Sequence, residues 1–287
     1  MSDQSTESTE AVGDRRSRVT VVIPALNEAA NLKAVLPTLP PVHEVILVDA
    51  GSVDGTVQAA LEVMPDIRVF TQARRGKGNA LACGFAAATG DIIVMFDADG
   101  SADPAEIPRF VRALLDGADF AKGSRFIEGG GSEDITRFRR AGNAGLHLLV
   151  SAAFGRRFTD LCYGYNAFWT SLVPQLQLPD PHLPAKGSPM LWGDGFEIET
   201  LITCRMLQAG VRIAEVPSVE RLRLHGASNL NAVSDGIRVL RTIVAERMRQ
   251  PAVAVVPTDP TPMTEPEPDP ARRAAPVTVD PETELSA

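Results

Sequence analysis

Two carboxylates separated by a single residue are the pair in this sequence with the clearest chemical potential. Asp97 and Asp99 follow the apolar run 92–96, so a buried strand would deliver both acids to its carboxyl end. Hard divalent cations such as Mg²⁺ and Mn²⁺ take oxygen ligands and keep positions open for phosphate oxygens. The pair therefore predicts a Mg²⁺ or Mn²⁺ site, where the metal would neutralise charge on a departing nucleoside diphosphate.

Three further polar clusters precede this acid pair along the chain. Two of them, residues 24–28 (PALNE) and 48–56 (VDAGSVDGT), each follow a β-branched run. The third, residues 74–80 (RRGKGNA), combines arginine and lysine with small residues at a predicted helix start. Free N–H groups at a helix start favour anions, which suits a diphosphate. Each cluster alone could be only a capped turn. The third lacks the spacing of a P-loop, which argues against ATP hydrolysis.

These clusters require strands that bring them to one place. Short β-branched runs alternate with helical spacing, which predicts an α/β fold with a mostly parallel sheet. Ligands bind beyond the carboxyl ends of the strands in such sheets. The predicted strands are 18–24, 44–49, 67–71, 91–97, 119–124 and 212–216, and the predicted helices are 27–39, 54–64, 78–88, 104–116, 136–154, 195–209 and 231–249.

The two ends of the chain differ in composition from the rest. The 287 residues carry a formal charge of −8, but residues 1–17 and 251–287 contribute −2 and −5, which leaves about −1 for residues 18–250. A near-neutral core gives no reason to expect a nucleic-acid partner. We expect residues 1–17 to be a disordered tail and residues 251–287, with nine prolines, to be a Pro-rich acidic disordered tail.

Cysteine usage and hydropathy bear on the compartment. The three cysteines form no CxxC pair and no apolar signal segment begins the chain, so we expect reduced thiols and a cytoplasmic protein. No apolar run approaches the roughly 18 residues that span a bilayer, so any membrane contact should be peripheral. The apolar segment 142–154 is explained by core burial, with a membrane-facing helix as the alternative.

The four clusters, in this order, resemble the donor site of glycosyltransferase family 2, which has the GT-A fold. The resemblance covers about residues 18–130. It implies a Rossmann-like mixed, mostly parallel sheet flanked by helices, a single domain over residues 18–250, and a hexosyltransferase with a nucleotide-sugar donor. The nucleotide-sugar-binding residues that it implies are Pro24, Ala25, Asn27, Glu28, Asp49, Ser52, Asp54, Lys77, Asp97 and Arg125.

The second half of the chain resembles the dolichyl- and polyprenyl-phosphate sugar synthases of that family. The matching segments are 123–125 (GSR), 215–217 (EVP) and 223–230 (RLHGASNL). The chain departs from the pattern in three places: Ser101 replaces a glutamine, Asn229 replaces a lysine, and residues 165–167 (YNA) lack the arginine that the synthases share. The resemblance implies a metal held by Asp97, Asp99 and Ser101 or a water, and a GDP- or UDP-sugar donor. It also implies a polyprenyl-phosphate acceptor bound by Arg140, Arg223, His225 and Ser228.

Two acceptor classes remain open at this point. A lipid phosphate at the inner membrane face is already ionised and needs only positioning and stabilisation of the leaving diphosphate. A small soluble acceptor, as in the glucosyl-phosphoglycerate synthases or in natural-product tailoring, presents a hydroxyl whose proton a carboxylate must take. Glu197 and Glu199 are the candidates, and the resemblance favours Glu199. The predicted catalytic residues are Asp99, Glu199 and Glu197.

Overall fold

Runs rich in valine and isoleucine form the central strands, because β-branched side chains pack well on a pleated, buried surface. In the computed structural model, β1 (Val19–Ala25), β2 (Glu44–Asp49) and β4 (Ile92–Met95) are buried along most of their length, as strands covered on both faces are. The other strands are β3 (Arg68–Thr71), β5 (Phe120–Ser124), β6 (Gly131–Ser132), β7 (Asn166–Trp169), β8 (Ile213–Pro217) and β9 (Val219–Glu220).

The structure describes residues 17–156, 158–184, 190–226 and 232–249, with the side chains of 137–139 and 232–235 left out. The predicted tails, apart from Ser17, lie outside these residues, and so does Ser228. Their disorder and the phosphate contact of Ser228 stay predictions.

Seven of the described strands form one sheet in the order β3-β2-β1-β4-β7-β5-β8. All neighbours pair in parallel except β7, which runs antiparallel to both β4 and β5. Strands β6 and β9 form a separate small parallel pair. The predicted mixed, mostly parallel sheet is confirmed, but β7 was not predicted, because its four residues show no alternation that separates a strand from a loop.

The predicted helices are all present, with ends shifted by four residues or fewer. They are α1 (Ala29–Val35), α2 (Thr56–Val63), α3 (Lys77–Ala87), α4 (Ile107–Leu115), α5 (Arg137–Phe154), α7 (Ile198–Gln208) and α8 (Ala232–Met248), with a four-residue α6 (Val173–Leu176) between α5 and α7. The described part of the chain has no helix that is both long and apolar enough to cross a bilayer.

The core lies on both faces of the sheet. Val21 and Ile23 of β1 belong to a buried cluster that includes α1 and α4, whereas Val22 points to the opposite face, among α3 and α7, as the period-2 alternation of a strand requires. A third buried cluster joins α5, α7 and α8. The described residues belong to one compact unit.

This topology fixes where the chemistry can occur. The parallel strands β1, β2, β4 and β5 place their carboxyl ends at the same edge of the sheet. Because β7 runs the other way, the residues that precede it reach that edge instead. Loops from all five strands therefore meet there.

Candidate active site

A cleft of about 950 Å³ opens at this edge of the sheet. The structure brings many of the predicted site residues into its lining, namely Pro24, Ala25, Glu28, Lys77, Asp97, Asp99, Ser101, Arg125, Glu199 and Arg223. Among the other predicted site residues that are described, Asn27, Asp49, Ser52, Asp54, Arg140, Glu197 and His225 do not line it.

Lys77 joins two carboxylates at the centre of the cleft. Its Nζ lies 2.7 Å from Oδ1 of Asp97, just past β4, and 2.7 Å from Oε1 of Glu199, in the first turn of α7. Burial by itself lowers the pKa of Lys77, but the two carboxylates raise it above its ordinary value. The lysine therefore stays charged and holds α3, α7 and the end of β4 together.

A glycine allows these three side chains to meet. A Cβ added to Gly164 would lie 2.9 Å from Oδ2 of Asp97 and 3.0 Å from Nζ of Lys77. Gly164 lies in the segment that precedes β7. The antiparallel strand that was not predicted therefore places a glycine where the backbone closely approaches Asp97 and Lys77.

Arg223 makes the corresponding contact with the second acid of the pair. Its NH1 lies 3.1 Å from Oδ2 of Asp99, and its NH2 pairs with Oε1 of Glu28. The other oxygen of Asp99 accepts hydrogen bonds from the backbone N–H and the hydroxyl of Ser101, the latter at 2.7 Å. Each acid of the pair therefore has its own cationic partner, Lys77 for Asp97 and Arg223 for Asp99.

The oxygen atoms at this position suit a hard divalent cation. Carboxylates from Asp97 and Asp99 and the hydroxyl of Ser101 all line the cleft. Within the described ranges, no group of three or more His, Cys, Asp or Glu side chains could hold a metal. The chain thus offers a partial, all-oxygen ligand set, which fits Mg²⁺ or Mn²⁺ completed by substrate phosphates and water.

The predicted donor-binding residues after β1 and β2 hold two loops to each other. The backbone N–H of Asn27 donates to Oγ of Ser52 at 2.8 Å, and Oδ1 of Asn27 accepts from the N–H of Val53 at 2.9 Å. Asp54 accepts from the N–H of Ala29 at 3.1 Å. Asn27 has a φ of +56°, a conformation that asparagine tolerates better than most residues.

Asp49 has a similar part in the second loop. Its buried carboxylate accepts hydrogen bonds from the N–H groups of Gly51 at 2.9 Å and Ser52 at 3.1 Å. These contacts shape the wall formed by Ala50 and Gly51. Direct contact of Asn27, Asp49, Ser52 and Asp54 with a nucleotide stays a prediction.

The two arginines of the third cluster have different environments. Arg74 is buried and pairs with Asp194, with N–O distances of 2.7 and 2.9 Å. Arg75 lines the cleft and forms no ion pair with a described residue. Of these two cations, only Arg75 is placed to meet a ligand.

The family model described as "Glycosyl transferase family 2" matches residues 20–173, which is more than half of the chain. The chain belongs to glycosyl transferase family 2. The matched region contains Lys77, Asp97 and Asp99, and the strands whose carboxyl ends form the cleft. The predicted family is confirmed.

Two sequence relatives of this chain carry different descriptions. An uncharacterized glycosyltransferase of Mycobacterium tuberculosis is 40% identical over 107 residues, which cover 37% of this chain and 48% of the relative. The chain thus spans about half the length of that relative. The undecaprenyl-phosphate mannosyltransferase of Micrococcus luteus is 31% identical over 212 residues, covering 70% of this chain and 82% of the relative.

A solved structure gives the same fold. The glucosyl-3-phosphoglycerate synthase of Mycobacterium tuberculosis, in complex with Mn²⁺, uridine diphosphate and phosphoglyceric acid, aligns with a TM-score of 0.61 at 25% identity. The alignment covers 81% of this chain and 79% of that chain. The predicted GT-A architecture is confirmed.

In the other half of the glycosyltransferase cleft, Arg125 is held by buried acids. Its guanidinium donates to both oxygens of Asp160 at 2.6 and 2.9 Å and to Glu220 at 2.9 Å. It lies over the ring of Tyr163, 4.8 Å from the centroid. Burial lowers the pKa of Arg125, but Asp160 and Glu220 raise it above its ordinary value. Three of its five N–H groups are thus engaged within the protein, and donor contact by Arg125 stays a prediction.

The two candidate bases of α7 separate clearly. Glu199 lines the cleft, whereas Glu197 is buried beside it and accepts hydrogen bonds from the N–H groups of Gly193 at 3.0 Å and Gly195 at 3.2 Å. A Cβ on Gly195 would lie 2.4 Å from Oε2 of Glu197. Glu197 therefore orders the loop before α7, and Glu199 is the acid that can face a substrate.

Two predicted phosphate contacts lie away from the cleft lining. Arg140 is exposed, with its guanidinium 5.6 Å from the ring centroid of Phe126. His225 is exposed, and its backbone carbonyl accepts from Nε of Arg223 at 2.7 Å and from Asn31 at 3.2 Å. Phosphate binding by either side chain remains a prediction.

Several cleft residues were not predicted from the sequence. Cys162, an exposed free thiol, lines the cleft. The far end, between α5 and α8, is lined by Ile135, Leu146, Met190, Phe196 and Val239. Their apolar character shows in the sequence, but apolar residues are usually core, and only the fold separates these from the core.

Proposed function

We propose that this chain transfers a hexose from a GDP- or UDP-sugar to a polyprenyl phosphate, with Mg²⁺ or Mn²⁺ as cofactor. The observation that carries the proposal is the composition of the cleft. Its one half holds Asp97, Asp99 and the cations Lys77 and Arg223, and its other half, which also contains the ion pair of Arg125 with Glu220, includes an apolar end at α5 and α8. A charged diphosphate fits the first half and a prenyl chain fits the second.

A metal held by Asp97, Asp99 and Ser101 would supply charge neutralisation at the leaving diphosphate. Arg75 lies in the cleft without a carboxylate partner among the described residues and is placed to bind a phosphate oxygen. In the reaction, an acceptor phosphate oxygen bonds to the anomeric carbon, and the bond from that carbon to the diphosphate breaks. The electron pair of that bond leaves with the nucleoside diphosphate.

The acceptor phosphate carries no proton that must be removed, so this reaction requires no general base. Glu199 then acts through Lys77, which it holds at 2.7 Å, and orients the lysine toward Asp97. The printed description of the Micrococcus luteus relative, an undecaprenyl-phosphate mannosyltransferase, supports this acceptor class.

A small soluble phosphorylated acceptor is the alternative. The solved glucosyl-3-phosphoglycerate synthase binds Mn²⁺, uridine diphosphate and phosphoglyceric acid, which supports both the metal and this acceptor. In that reaction Glu199 is the carboxylate placed to accept the proton of the acceptor hydroxyl.

Labelled GDP-mannose and UDP-glucose, each offered with undecaprenyl phosphate in detergent or with 3-phosphoglycerate, separate the two acceptors. The proposal predicts label that partitions into butanol only when the lipid is present, and its loss in Asp99→Asn. Label that stays in water as a small product supports the alternative. If neither donor is consumed with Mg²⁺ or Mn²⁺ present, the transferase proposal is wrong.

A lipid acceptor also implies a place in the cell. We propose a cytoplasmic protein that contacts the inner membrane face peripherally, since its acceptor would lie in that membrane. Fractionation of cells at low and high salt measures this directly. Recovery of the chain from the soluble fraction at every salt concentration would contradict it.

A further inference from the structure

The helices α5 and α8 both expose an apolar face. On α8, Ile237, Leu240, Val244 and Met248 recur at steps of three and four residues and are exposed, Met248 to 80%. On α5, Leu148 is 74% exposed, and the positions on the same face within two turns of it are the small residues 141, 144, 145 and 152, which are also exposed. Exposed large apolar side chains normally occur singly.

These faces belong to one side of the molecule. The opposite sides of the two helices, through Val150 of α5 and Val239 and Ile243 of α8, pack in the same buried cluster. The helices also pack against each other. We call the exposed side chains of Leu148, Ile237, Leu240, Val244 and Met248 the α5–α8 surface.

The exposed charges described on α5 and α8 are basic. Arg140 and Arg156 are exposed at the two ends of α5, and Arg241 and Arg247 are exposed on α8. Helix α5 contains no acidic residue, and Glu246, the acid whose side chain is described on α8, is buried in contact with Arg205. A surface that is apolar and basic complements anionic lipid headgroups.

The α5–α8 surface is also continuous with the cleft. Gly142 and Leu146 of α5 and Gly236 and Val239 of α8 line the apolar end of the cleft. A prenyl chain that leaves the cleft between these helices would enter the layer on which the surface rests.

We propose that the α5–α8 surface docks this glycosyltransferase on a bilayer that contains anionic lipids. The inference deepens the proposed function, because a membrane-borne acceptor is what the docked cleft would receive. A second copy of the chain is a poorer occupant, since a symmetric contact would bring the arginines described on the two faces together.

Flotation of the full chain with vesicles tests the proposal. Each arginine near an anionic surface contributes about five-fold in affinity, so two arginines in contact contribute about 25-fold. Vesicles of phosphatidylglycerol and phosphatidylcholine should therefore bind the protein at least about 25-fold more tightly than vesicles of phosphatidylcholine alone. High salt should weaken this binding.

The variant L240E/V244E adds two acids to the α5–α8 surface and should lose binding at least about 25-fold. The matched control is L61E/L115E, which adds two acids at similarly exposed apolar positions on α2 and α4. The control should change binding by less than about two-fold, and the unfolding temperatures of both variants should stay close to that of the wild type, because exposed substitutions cost little.

Three results would overturn the proposal. The first is that the wild type does not bind vesicles, and the second is that both double variants lose vesicle binding equally. The third is that the wild type is a dimer which L240E/V244E converts to a monomer, because the surface would then be a self-association interface. Measuring sugar transfer to a short-chain prenyl phosphate in detergent separates a failure of the docking proposal from a failure of the proposed function. Transfer that persists without vesicle binding refutes docking alone, and vesicle binding without transfer refutes the transferase proposal alone.

Discussion

Replacing Lys77 with methionine removes the cation between two carboxylates and keeps the length of the side chain. The change leaves Asp97 and Glu199 without the partner that lies 2.7 Å from each. Breaking a buried ion pair typically costs about 3–5 kcal/mol, because an uncompensated charge stays buried.

The expected magnitude lies at the lower end of that range. Glu199 is nearly buried, but the side chain of Asp97 is 33% exposed, so water partly solvates its charge. We therefore expect a loss of about 3 kcal/mol in the free energy of unfolding. At 2–4 °C per kcal/mol for a domain of this size, the unfolding temperature should fall by about 6–12 °C.

Urea unfolding and calorimetry in the presence of EDTA measure this loss, and Glu199→Gln is the matched control. The control leaves Lys77 paired with Asp97 and should cost only about 1 kcal/mol. Addition of Mn²⁺ should then stabilise Lys77→Met more than the wild type, because its two carboxylates no longer have a competing cation. If Lys77→Met is no less stable than Glu199→Gln, the described contacts do not exist in solution.

Three further changes test other parts of the structure. Burial would raise the pKa of Glu44, but hydrogen bonds, the strongest from Thr20, hold this pKa at about 2. Above pH 4.5, the ordinary pKa of glutamate, the wild type should therefore be more stable than Glu44→Gln. Acid titration should show this stability difference vanish as the pH falls toward 2. Gly78→Ala would place a Cβ 1.8 Å from the carbonyl oxygen of Gly193 and should cost more than about 2 kcal/mol in urea unfolding; a neutral result would mean that the loop is not packed there. Arg75→Gln should raise the donor KM about tenfold without changing stability, as a lost charged hydrogen bond does, and an unchanged KM would place Arg75 outside the donor site.

The sequence was sufficient for the order of the fold and for the centre of the cleft. Each predicted strand and helix is present because its apolar period is strong, and the segments after β3 and β4 bring Lys77, Asp97 and Asp99 to the same cleft. The antiparallel β7 was missed, since direction in a sheet depends on tertiary pairing rather than on local pattern. With it, the approach of Gly164 to Asp97 was missed as well.

Side-chain partners far apart in the sequence could not be predicted. Arg74 and Arg75 are adjacent residues of the same type, and the sequence gives no reason to distinguish them. In the fold, Asp194, which lies 120 residues after Arg74 in the chain, forms an ion pair with Arg74. Asn27 and Asp49 were assigned to the donor from the family resemblance, and the structure shows that their side-chain oxygens accept hydrogen bonds from backbone N–H groups. Hydrogen-bonding capacity is visible in a sequence, but the partner that uses it is set by the fold.

We propose that Asp97 and Asp99 form a metal-dependent site for a nucleoside diphosphate. Calorimetric titration of UDP and of GDP into the wild type and into D97N/D99N, each with Mn²⁺ or with EDTA, measures it directly. We predict that Mn²⁺ tightens binding of one nucleotide to the wild type at least about tenfold, as charge neutralisation of the diphosphate requires, and that the variant loses this gain. Equal affinity with Mn²⁺ and EDTA, or an unchanged gain in the variant, would contradict it.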